Sequence, residues 1–228
     1  RIVTLVVTEA APVADDILRV RLSPTTKGEC FCEFVPGQYL ELWQPDAPFM
    51  SRAYSIANTP DGSGSVELHI RRVDGGRFTE WAFSQMQVGD RVQARGPLGH
   101  FTMRSLPGVP LLFIAGGAGF APILALLRQQ VRFDAQRDMV LIWGSGQEES
   151  FYALDQLELL LEQAPHLRIM LAAETGAAAS LANERLTFVQ GTAVDVLTQD
   201  SALLKDRDIY AAGPSGMLRA LARDLSVR

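Results

Sequence analysis

The spacing of apolar residues changes near Pro107, and this change constrains the fold more than any other feature of the sequence. Before Pro107, segments such as 17–22 and 66–71 alternate apolar with polar side chains, which predicts half-buried β-strands. After it, continuous apolar runs such as 111–115 and 139–143 are followed by helical patterns, which predicts a parallel sheet with helices on both faces. The 228 residues are therefore expected to form two domains of different fold class.

The expected domains are residues 1–106 and residues 107–228. The first is predicted to be an antiparallel Greek-key β-barrel, because turn signals such as Pro36-Gly37 separate its short strands and only residues 78–86 show a helical pattern. The second is predicted to be an α/β domain with a parallel sheet.

Composition limits the classes of function. The net charge of −5 disfavours nucleic acid as the main partner. Residues 105–127 carry no charge, but three prolines and four glycines interrupt them, so the stretch predicts a strand, a turn and a helix rather than a membrane span. The sequence opens on Arg1-Ile2-Val3 without an initiator Met, which indicates an excerpt of a longer chain.

The cysteines and histidines indicate no metal site. Cys30 and Cys32 stand too close together for an easy disulfide, and two thiolates alone hold neither a structural zinc ion nor an iron–sulfur cluster. The three histidines show no metal-ligand spacing. So few cysteines fit a reducing compartment, and the expected location is the cytoplasm.

A glycine-rich turn follows the first apolar run of the second domain. Gly116, Gly117 and Gly119 precede a helical pattern in which Pro122 occupies the first turn, where a missing N–H is tolerated. Glycines at a strand-to-helix turn allow close approach of a pyrophosphate, whose charge the helix N-terminus favours. The turn predicts a dinucleotide site or, equally, a tight turn without a ligand.

A second candidate, Arg52-Ala53-Tyr54-Ser55, lies in the first domain. In a strand, Arg52 and Tyr54 project from the same face. An arginine fork suits a pyrophosphate and a tyrosine ring suits stacking on a planar ligand. By itself the tetrapeptide is more typical of an ordinary strand end.

Together and in this order, the motifs resemble those of the ferredoxin–NADP reductase superfamily, above all the reductase components of bacterial oxygenases such as the methane and benzoate systems. The resemblance covers almost the whole chain. It rests on Pro36-Gly37-Gln38-Tyr39, Arg52-Ala53-Tyr54-Ser55, His69-Ile70-Arg71, Gly76-Arg77-Phe78-Thr79, Gly96-Pro97-Leu98-Gly99-His100-Phe101, the turn from Gly116 to Pro122, and Gly213-Pro214-Ser215-Gly216-Met217.

The resemblance implies FAD as the cofactor of the first domain. Arg52 would bind the FAD pyrophosphate, Tyr54 would pack on the flavin ring and Ser55 would hydrogen-bond near flavin N5, which makes Tyr54 and Ser55 the candidate catalytic residues. Thr79 and the backbone of 76–78 would hold phosphate at a helix N-terminus. The full set of flavin-site candidates is Arg52, Ala53, Tyr54, Ser55, His69, Ile70, Arg71, Gly76, Arg77, Phe78 and Thr79.

It likewise implies an NADH site in the second domain. The candidates are Gly117, Ala118, Gly119, Pro122, Gly144, Gly213, Pro214 and Met217. Ala118 and Ala212 stand where the family commonly has Thr and Cys, which is expected to weaken nicotinamide positioning. Relatives also continue past the position of Arg228 to a C-terminal aromatic region near the flavin.

The residues favour NADH over NADPH. A 2′-phosphate needs a cation, usually just after the second strand of such a domain. No Lys or Arg occurs from Asp138 to His166, and five acidic residues follow Asp138 in this stretch. The alternative is a cation from elsewhere in the chain, such as Arg185.

The implied function is NADH-dependent reduction of FAD. Electrons would pass to a 2Fe-2S cluster on a ferredoxin-like domain or protein outside this sequence, and from there to an oxygenase component. The six arginines between 71 and 104 form either a docking surface for an acidic partner or ordinary solvated strand faces. Two alternatives stay open: a free flavin reductase, against which the phosphate segment 76–79 argues, and a non-catalytic FAD-binding relay or regulatory subunit.

Overall fold

The computed structural model describes residues 1–25, 33–47, 50–176 and 184–226. The chain divides into two compact units: Arg1–Met103 with Leu124–Leu126, and Arg104–Ile123 with Leu127–Arg228. Each unit contains one sheet. The prediction made for Cys30 and Cys32 falls outside the described residues.

The first unit is built on a six-stranded antiparallel sheet that curls into an incomplete barrel. Its strands are β1 Ile2–Ala14, β2 Ile17–Pro24, β3 Tyr39–Trp43, β4 Arg52–Ser55, β5 Val66–Arg71 and β6 Arg91–Leu98, in the order β4-β3-β6-β1-β2-β5. The two outermost strands are joined by one bridge, between Ile56 and Leu68. The predicted antiparallel barrel fold is therefore confirmed.

The apolar side chains of the alternating segments form the inner face of this barrel. Every second side chain of β5, from Val66 through Leu68 to Ile70, is buried in a core to which Leu5 of β1 and Leu40 of β3 also contribute. The opposite face of β5 carries polar side chains. The barrel core therefore lies on one face of β5, and the backbone of β5 pairs with β2 at one edge.

Two elements of the first unit depart from the sequence expectation. Helix α1 spans Arg77–Ser84 and not 78–86, because the N–H groups of Gln85 and Met86 both bond to the Trp81 carbonyl and end the helix. Strand β1, 13 residues long, was not predicted. Shifts in its register with β2 interrupt the alternation that periodicity relies on.

The second unit is a five-stranded parallel sheet, as predicted. Its strands are β7 Leu111–Gly116, β8 Met139–Gln147, β9 Leu167–Thr175, β10 Leu186–Gln190 and β11 Asp208–Ala212, and its helices are α2 Phe120–Phe133, α3 Leu154–Gln163, α4 Ala193–Gln199 and α5 Ser215–Ser226. All six residues of β7 are buried, as expected for a central parallel strand. None of the described helices combines the length and apolar character needed to cross a bilayer.

The strand order of this sheet, β10-β9-β8-β7-β11, positions a binding crevice. From β7 the chain adds β8, β9 and β10 on one side and then returns to place β11 on the other side. Ligands of open α/β sheets bind outside the carboxyl ends of the strands where the order reverses in this way. The carboxyl ends of β7 and β11 are therefore the expected site.

One helix of the second unit starts later than its sequence pattern. The apolar pattern begins at Phe151, but α3 begins at Leu154 because Ala153 adopts a left-handed conformation with φ of 61°. Phe151 and Tyr152 instead pack against Trp143, with ring centroids 5.0 and 5.1 Å away. Their contribution is to the core and not to a helix face.

Candidate functional site

The opening of the barrel brings two predicted segments to facing edges. Strand β4 pairs only with β3 and β5 only with β2, apart from the bridge between Ile56 and Leu68. Past that bridge, residues 52–55 and 69–71 face each other without a described ladder between them. We call this gap the seam. Both predicted flavin motifs of the barrel therefore lie along it.

Arg52 is the first residue of β4. Its Nη1 donates to the Ser51 carbonyl at 2.9 Å. Within the described ranges, no carboxylate makes an ion pair with it. An exposed guanidinium with several free donors is suited to a phosphate oxygen.

Tyr54 faces the barrel core and Ser55 faces away from it. The Tyr54 ring packs on Phe78 of α1 with centroids 5.5 Å apart. Burial raises the pKa of the Tyr54 phenol well above its usual range, against a smaller opposing effect of the Arg52 charge. Tyr54 is therefore a neutral hydrogen-bond donor over the whole physiological pH range, and Ser55, half-buried, adds a hydroxyl on the same strand.

On the other side of the seam, the side chains of 69–71 are already engaged. His69 is buried with its Nε2 3.3 Å from Glu67 Oε1, and Ile70 belongs to the barrel core. Arg71 Nε donates to Asp16 Oδ2 at 2.7 Å. With these side chains engaged, the contact of the His69 backbone with flavin stays a prediction.

The N-terminus of α1 has no side-chain cap. Gly76 precedes the helix without a capping hydrogen bond, so the first-turn N–H groups point outward as they do at anion sites. The Thr79 hydroxyl is buried and bonded within the turn, to the Val73 and Gly76 carbonyls at 3.1 and 2.9 Å. Thr79 thus holds the shape of the turn, and its predicted direct contact with phosphate stays a prediction.

The crevice of the second unit is formed by close backbone approach. A Cβ built on Gly213 would lie 3.0 Å from the Cα of Gly116, and one on Gly119 would lie 2.6 Å from the nitrogen of Gly213. These residues are about a hundred positions apart in sequence, and both predicted nicotinamide motifs meet at the carboxyl ends of β7 and β11. The glycines leave open a space at this turn that side chains would fill, and a ligand can approach the backbone there.

The other nicotinamide candidates lie around the same point. Gly117 and Ala118 form the turn before α2, and Pro122 lies in the first turn of that helix. Met217 of α5 and Pro214 pack over Gly116, within 2.6 and 2.9 Å of a Cβ built there.

Gly144 has a packing reason for its small size. It pairs in register with Gly116, and a Cβ there would lie 3.1 Å from the Cβ of Ala193. The residue therefore admits the start of α4 against β8.

Arg185 lies at the opposite edge of the sheet from this crevice. Its Nη1 donates to the Ala164 carbonyl at 2.8 Å, at the C-terminal end of α3 and just before β9 begins. Amino ends of parallel strands lie at the edge opposite their carboxyl ends. Glu148, by contrast, directly follows β8 at the carboxyl edge and approaches Gly176 after β9.

Sequence reasoning missed Phe83, over whose ring the Arg72 guanidinium lies at 4.4 Å. The two residues are 11 positions apart and belong to no motif. Only the packing of α1 on the end of β5 brings them together.

Two family models match the sequence. One, described as an oxidoreductase FAD-binding domain, matches residues 4–103. The other, described as an oxidoreductase NAD-binding domain, matches residues 113–223. Together they account for most of the chain, and each falls on one of the two sheets.

Two curated relatives are named as reductase components of oxygenase systems. The chain is similar to the reductase component of propane 2-monooxygenase from Mycolicibacterium smegmatis (strain ATCC 700084 / mc(2)155), with 31% identity over 209 residues that cover 92% of this chain and 59% of the relative. It is also similar to the ferredoxin–NAD(P)(+) reductase component of the naphthalene 1,2-dioxygenase system of Pseudomonas putida, with 33% identity over 204 residues covering 90% and 58%. The chain thus spans less than two thirds of these relatives.

Among solved structures, the cytochrome P450 reductase GcoB of Amycolatopsis superimposes with a TM-score of 0.82 at 30% identity, covering 98% of this chain and 66% of that one. The curled antiparallel barrel with its seam and the parallel sheet with its glycine-lined crevice define a flavin- and nicotinamide-binding oxidoreductase. The chain belongs to the ferredoxin–NADP reductase superfamily, which confirms the resemblance seen in its motifs.

Proposed function

We propose that this chain oxidises NADH and passes the electrons through FAD to the iron–sulfur centre of a ferredoxin-like domain or protein that serves an oxygenase component. The observation that carries the proposal is the convergence, within each domain, of sequence-distant candidate residues at a single place. These places are the seam of the barrel and the crevice of the parallel sheet. The relatives named as oxygenase reductase components support the choice of acceptor.

Each group of residues has a role that follows from its chemistry. When bound, FAD supplies the capacity to accept a hydride and to release electrons singly. Arg52 and the outward N–H groups of α1 neutralise the pyrophosphate. Tyr54 offers a ring face and a neutral phenol, and Ser55 donates a hydrogen bond from the adjacent strand position.

In the second domain, the backbone approach at Gly116, Gly119 and Gly213 lets the dinucleotide lie directly on the main chain. A hydride carries two electrons, so each NADH oxidised to NAD⁺ supplies two one-electron acceptors. Ala118 contributes no side-chain hydrogen bond here, and positioning relies on the backbone.

NADH is the proposed donor. The position of Arg185 at the far edge of the sheet argues against this residue as the cation for a 2′-phosphate. Glu148 occupies the end of the second strand, where an acidic side chain suits the ribose 2′-hydroxyl and repels a 2′-phosphate.

The domain boundary, the cellular location and the partner surface are also proposals. The boundary between the FAD-binding and NADH-binding domains lies between residues 106 and 107. The cytoplasm is the proposed location, on the scarcity of cysteine in the sequence. An acidic partner surface would meet the arginines of the 71–104 stretch in the first unit that remain exposed without a described carboxylate partner, namely Arg72, Arg77 and Arg91.

An anaerobic titration of the flavin-loaded protein with NADH tests the proposal. We expect the flavin absorption band to bleach at about one NADH per flavin, and NADPH to be a much weaker donor. Subsequent addition of an oxidised 2Fe-2S ferredoxin should restore the band. A bound flavin that NADH leaves oxidised would favour the relay or regulatory subunit, and release of the flavin on reduction would favour the free flavin reductase.

A further inference from the structure

We propose that Tyr210 is a positioning residue for hydride transfer, because its hydroxyl fixes the polypeptide segment that connects the barrel to the parallel sheet. The proposal rests on the proposed function, in which FAD and NADH belong to different domains. It adds a residue that acts through the connecting segment rather than on either cofactor. The observations that carry it are hydrogen bonds and ring contacts inside the second unit.

The connection between the two sheets is a long segment without regular structure. Strand β6 ends at Leu98 and β7 begins at Leu111, and the residues between them form neither helix nor strand. The two compact units divide within this segment, between Met103 and Arg104. Such a segment is ordinarily among the more mobile parts of a fold, because its backbone groups have no strand ladder to join.

Tyr210 supplies hydrogen-bond acceptors to this backbone. The N–H groups of Arg104 and Ser105 both donate to the Tyr210 hydroxyl, at 2.8 and 2.9 Å. A phenol oxygen has the lone pairs to accept both hydrogen bonds. Tyr210 belongs to β11, and its ring packs on Phe113 of β7 with the centroids 5.9 Å apart. The sheet therefore holds the hydroxyl, and the hydroxyl holds the first two residues of the segment that belong to the second unit.

Arg137 fixes the rest of the same segment. Its buried guanidinium donates to the carbonyl groups of Leu106 and Val109, at 2.8 and 2.6 Å, and to Ser105 Oγ. With the two hydrogen bonds to Tyr210, these contacts bind residues 104–109 to the second unit along their whole length. Bending of the connection is thereby confined to the residues before Arg104.

Strand β11 joins this anchor to the proposed nicotinamide site. Tyr210 lies two residues before Ala212, whose carbonyl group lies against Gly119 at the crevice. Both Tyr210 and Ala212 pair in register with β7. The connection to the barrel and the crevice for NADH are thus attached to the same strand, so fixing the connection constrains the position of the bound nicotinamide.

This constraint matters because hydride transfer is sensitive to distance. The reacting atoms must approach to roughly 3–3.5 Å, and a displacement of about 1 Å can lower a rate about 100-fold. Loss of the Tyr210 hydroxyl releases two backbone N–H groups and lengthens the part of the connection that can bend. The nicotinamide then spends less time in the reactive position, although the crevice that binds it is unchanged.

Tyr210→Phe tests the anchor, since it removes the hydroxyl and keeps the ring. The first measurement is amide hydrogen exchange of the purified protein, followed by NMR. We expect the amides of Arg104 and Ser105 to exchange about tenfold faster in the variant, because each loses its hydrogen bond. The amides of β7 and β11 should exchange as in the wild type.

The second measurement is single-turnover reduction of bound FAD by NADH, followed by stopped-flow absorbance. We expect the limiting rate at saturating NADH to fall about tenfold in Tyr210→Phe, and the apparent dissociation constant of NADH to change less than about twofold. A hydroxyl with a purely structural role would lower the Tm without changing the limiting rate. Tyr152→Phe is the matched control, because it removes the hydroxyl of another tyrosine of the second unit, one whose ring packs on Trp143. It should leave the exchange of Arg104 and Ser105 and the limiting rate as they are.

The outcomes separate the positioning role from the proposed function. Unchanged exchange at Arg104 and Ser105 in Tyr210→Phe would overturn the anchor. An unchanged limiting rate, or a loss that weaker NADH binding explains entirely, would overturn the positioning role and leave the proposed function standing. A wild-type protein whose bound flavin NADH does not reduce would refute the proposed function and the positioning role together.

Discussion

Gly119 lies directly against the carbonyl group of Ala212, so that a Cβ on Gly119 would overlap that carbonyl and lie 2.6 Å from the nitrogen of Gly213. The turn after β7 and the end of β11 are thus in backbone contact. No side chain can be added at Gly119 without moving one of the two strand ends. The proposed nicotinamide site depends on this contact.

Gly119→Ala is therefore expected to impair NADH oxidation strongly. The added methyl forces a backbone shift at the crevice, and overpacking of this kind costs about 1–3 kcal/mol. We expect the rate of flavin reduction at low NADH concentration to fall at least tenfold, measured by stopped-flow absorbance, with FAD content unchanged. Gly146→Ala is the control because a Cβ there meets nothing within 4 Å. Equal behaviour of the two variants would contradict the assignment.

Arg52→Ala is expected to weaken FAD binding by at least tenfold. The variant removes charge-assisted hydrogen bonds to the pyrophosphate, each of which contributes about 1.5–3 kcal/mol. Arg52→Lys keeps the charge but loses the planar fork, so its affinity for FAD should lie between those of the wild type and of Arg52→Ala. Isothermal titration with FAD measures the effect. If Arg52→Ala binds FAD as tightly as the wild type, the phosphate ligand lies elsewhere.

Glu148→Arg is expected to raise the preference for NADPH about tenfold. The change removes a carboxylate at the carboxyl end of β8 and supplies a cation for the 2′-phosphate. The measurement is the ratio of kcat/KM for NADPH and NADH with an artificial acceptor. Glu162→Arg, the same charge change on an exposed position of α3, should leave the ratio as it is.

Arg137→Ala is expected to lower the free energy of unfolding by about 3 kcal/mol. The buried guanidinium donates to the carbonyls of Val109 and Leu106, to Gln130 Oε1 and to Ser105 Oγ, and its removal breaks all four hydrogen bonds. Thermal unfolding should show a fall in Tm of roughly 6–12 °C. Arg132→Ala, at an exposed position of α2, should change stability by less than about 0.5 kcal/mol. Similar losses in both variants would mean that the buried network contributes little.

The stability contribution of Asp195 is expected to depend on pH. Hydrogen bonds from the backbone N–H and the hydroxyl of Thr192, both 2.8 Å, lower the pKa of the Asp195 carboxyl. A lowered folded-state pKa means that the stabilisation is present above the unfolded pKa of about 3.9 and is lost as the pH falls through the folded value.

Asp195→Ala should therefore lower the unfolding free energy by about 1 kcal/mol at pH 7, the size of a capping-box contribution. The difference from the wild type should shrink in urea titrations below about pH 3.9. Glu158→Gln on α3 is the control and should change stability by less than about 0.5 kcal/mol. A difference that stays constant with pH would contradict the role of the ionised carboxyl.

The sequence by itself determined the two fold classes and the segments proposed to carry the sites. Residue periodicity is a local property: buried strands such as β5 alternate, and buried parallel strands such as β7 are continuously apolar. Glycine-rich turns can be recognised in the same way, because their conformational demand falls on a few adjacent residues. The turn at Gly116 is recognisable for this reason, whereas the motifs at Arg52, Gly76 and Gly213 gain their meaning from the family resemblance.

Only the tertiary structure decided which residues meet. The irregular register of β1, the contact of Gly119 with Ala212, the place of Arg185 at the far edge and the stacking of Arg72 on Phe83 all involve partners distant in sequence. Such contacts depend on how sheet order and helix packing bring segments together, and no local pattern of residues encodes them.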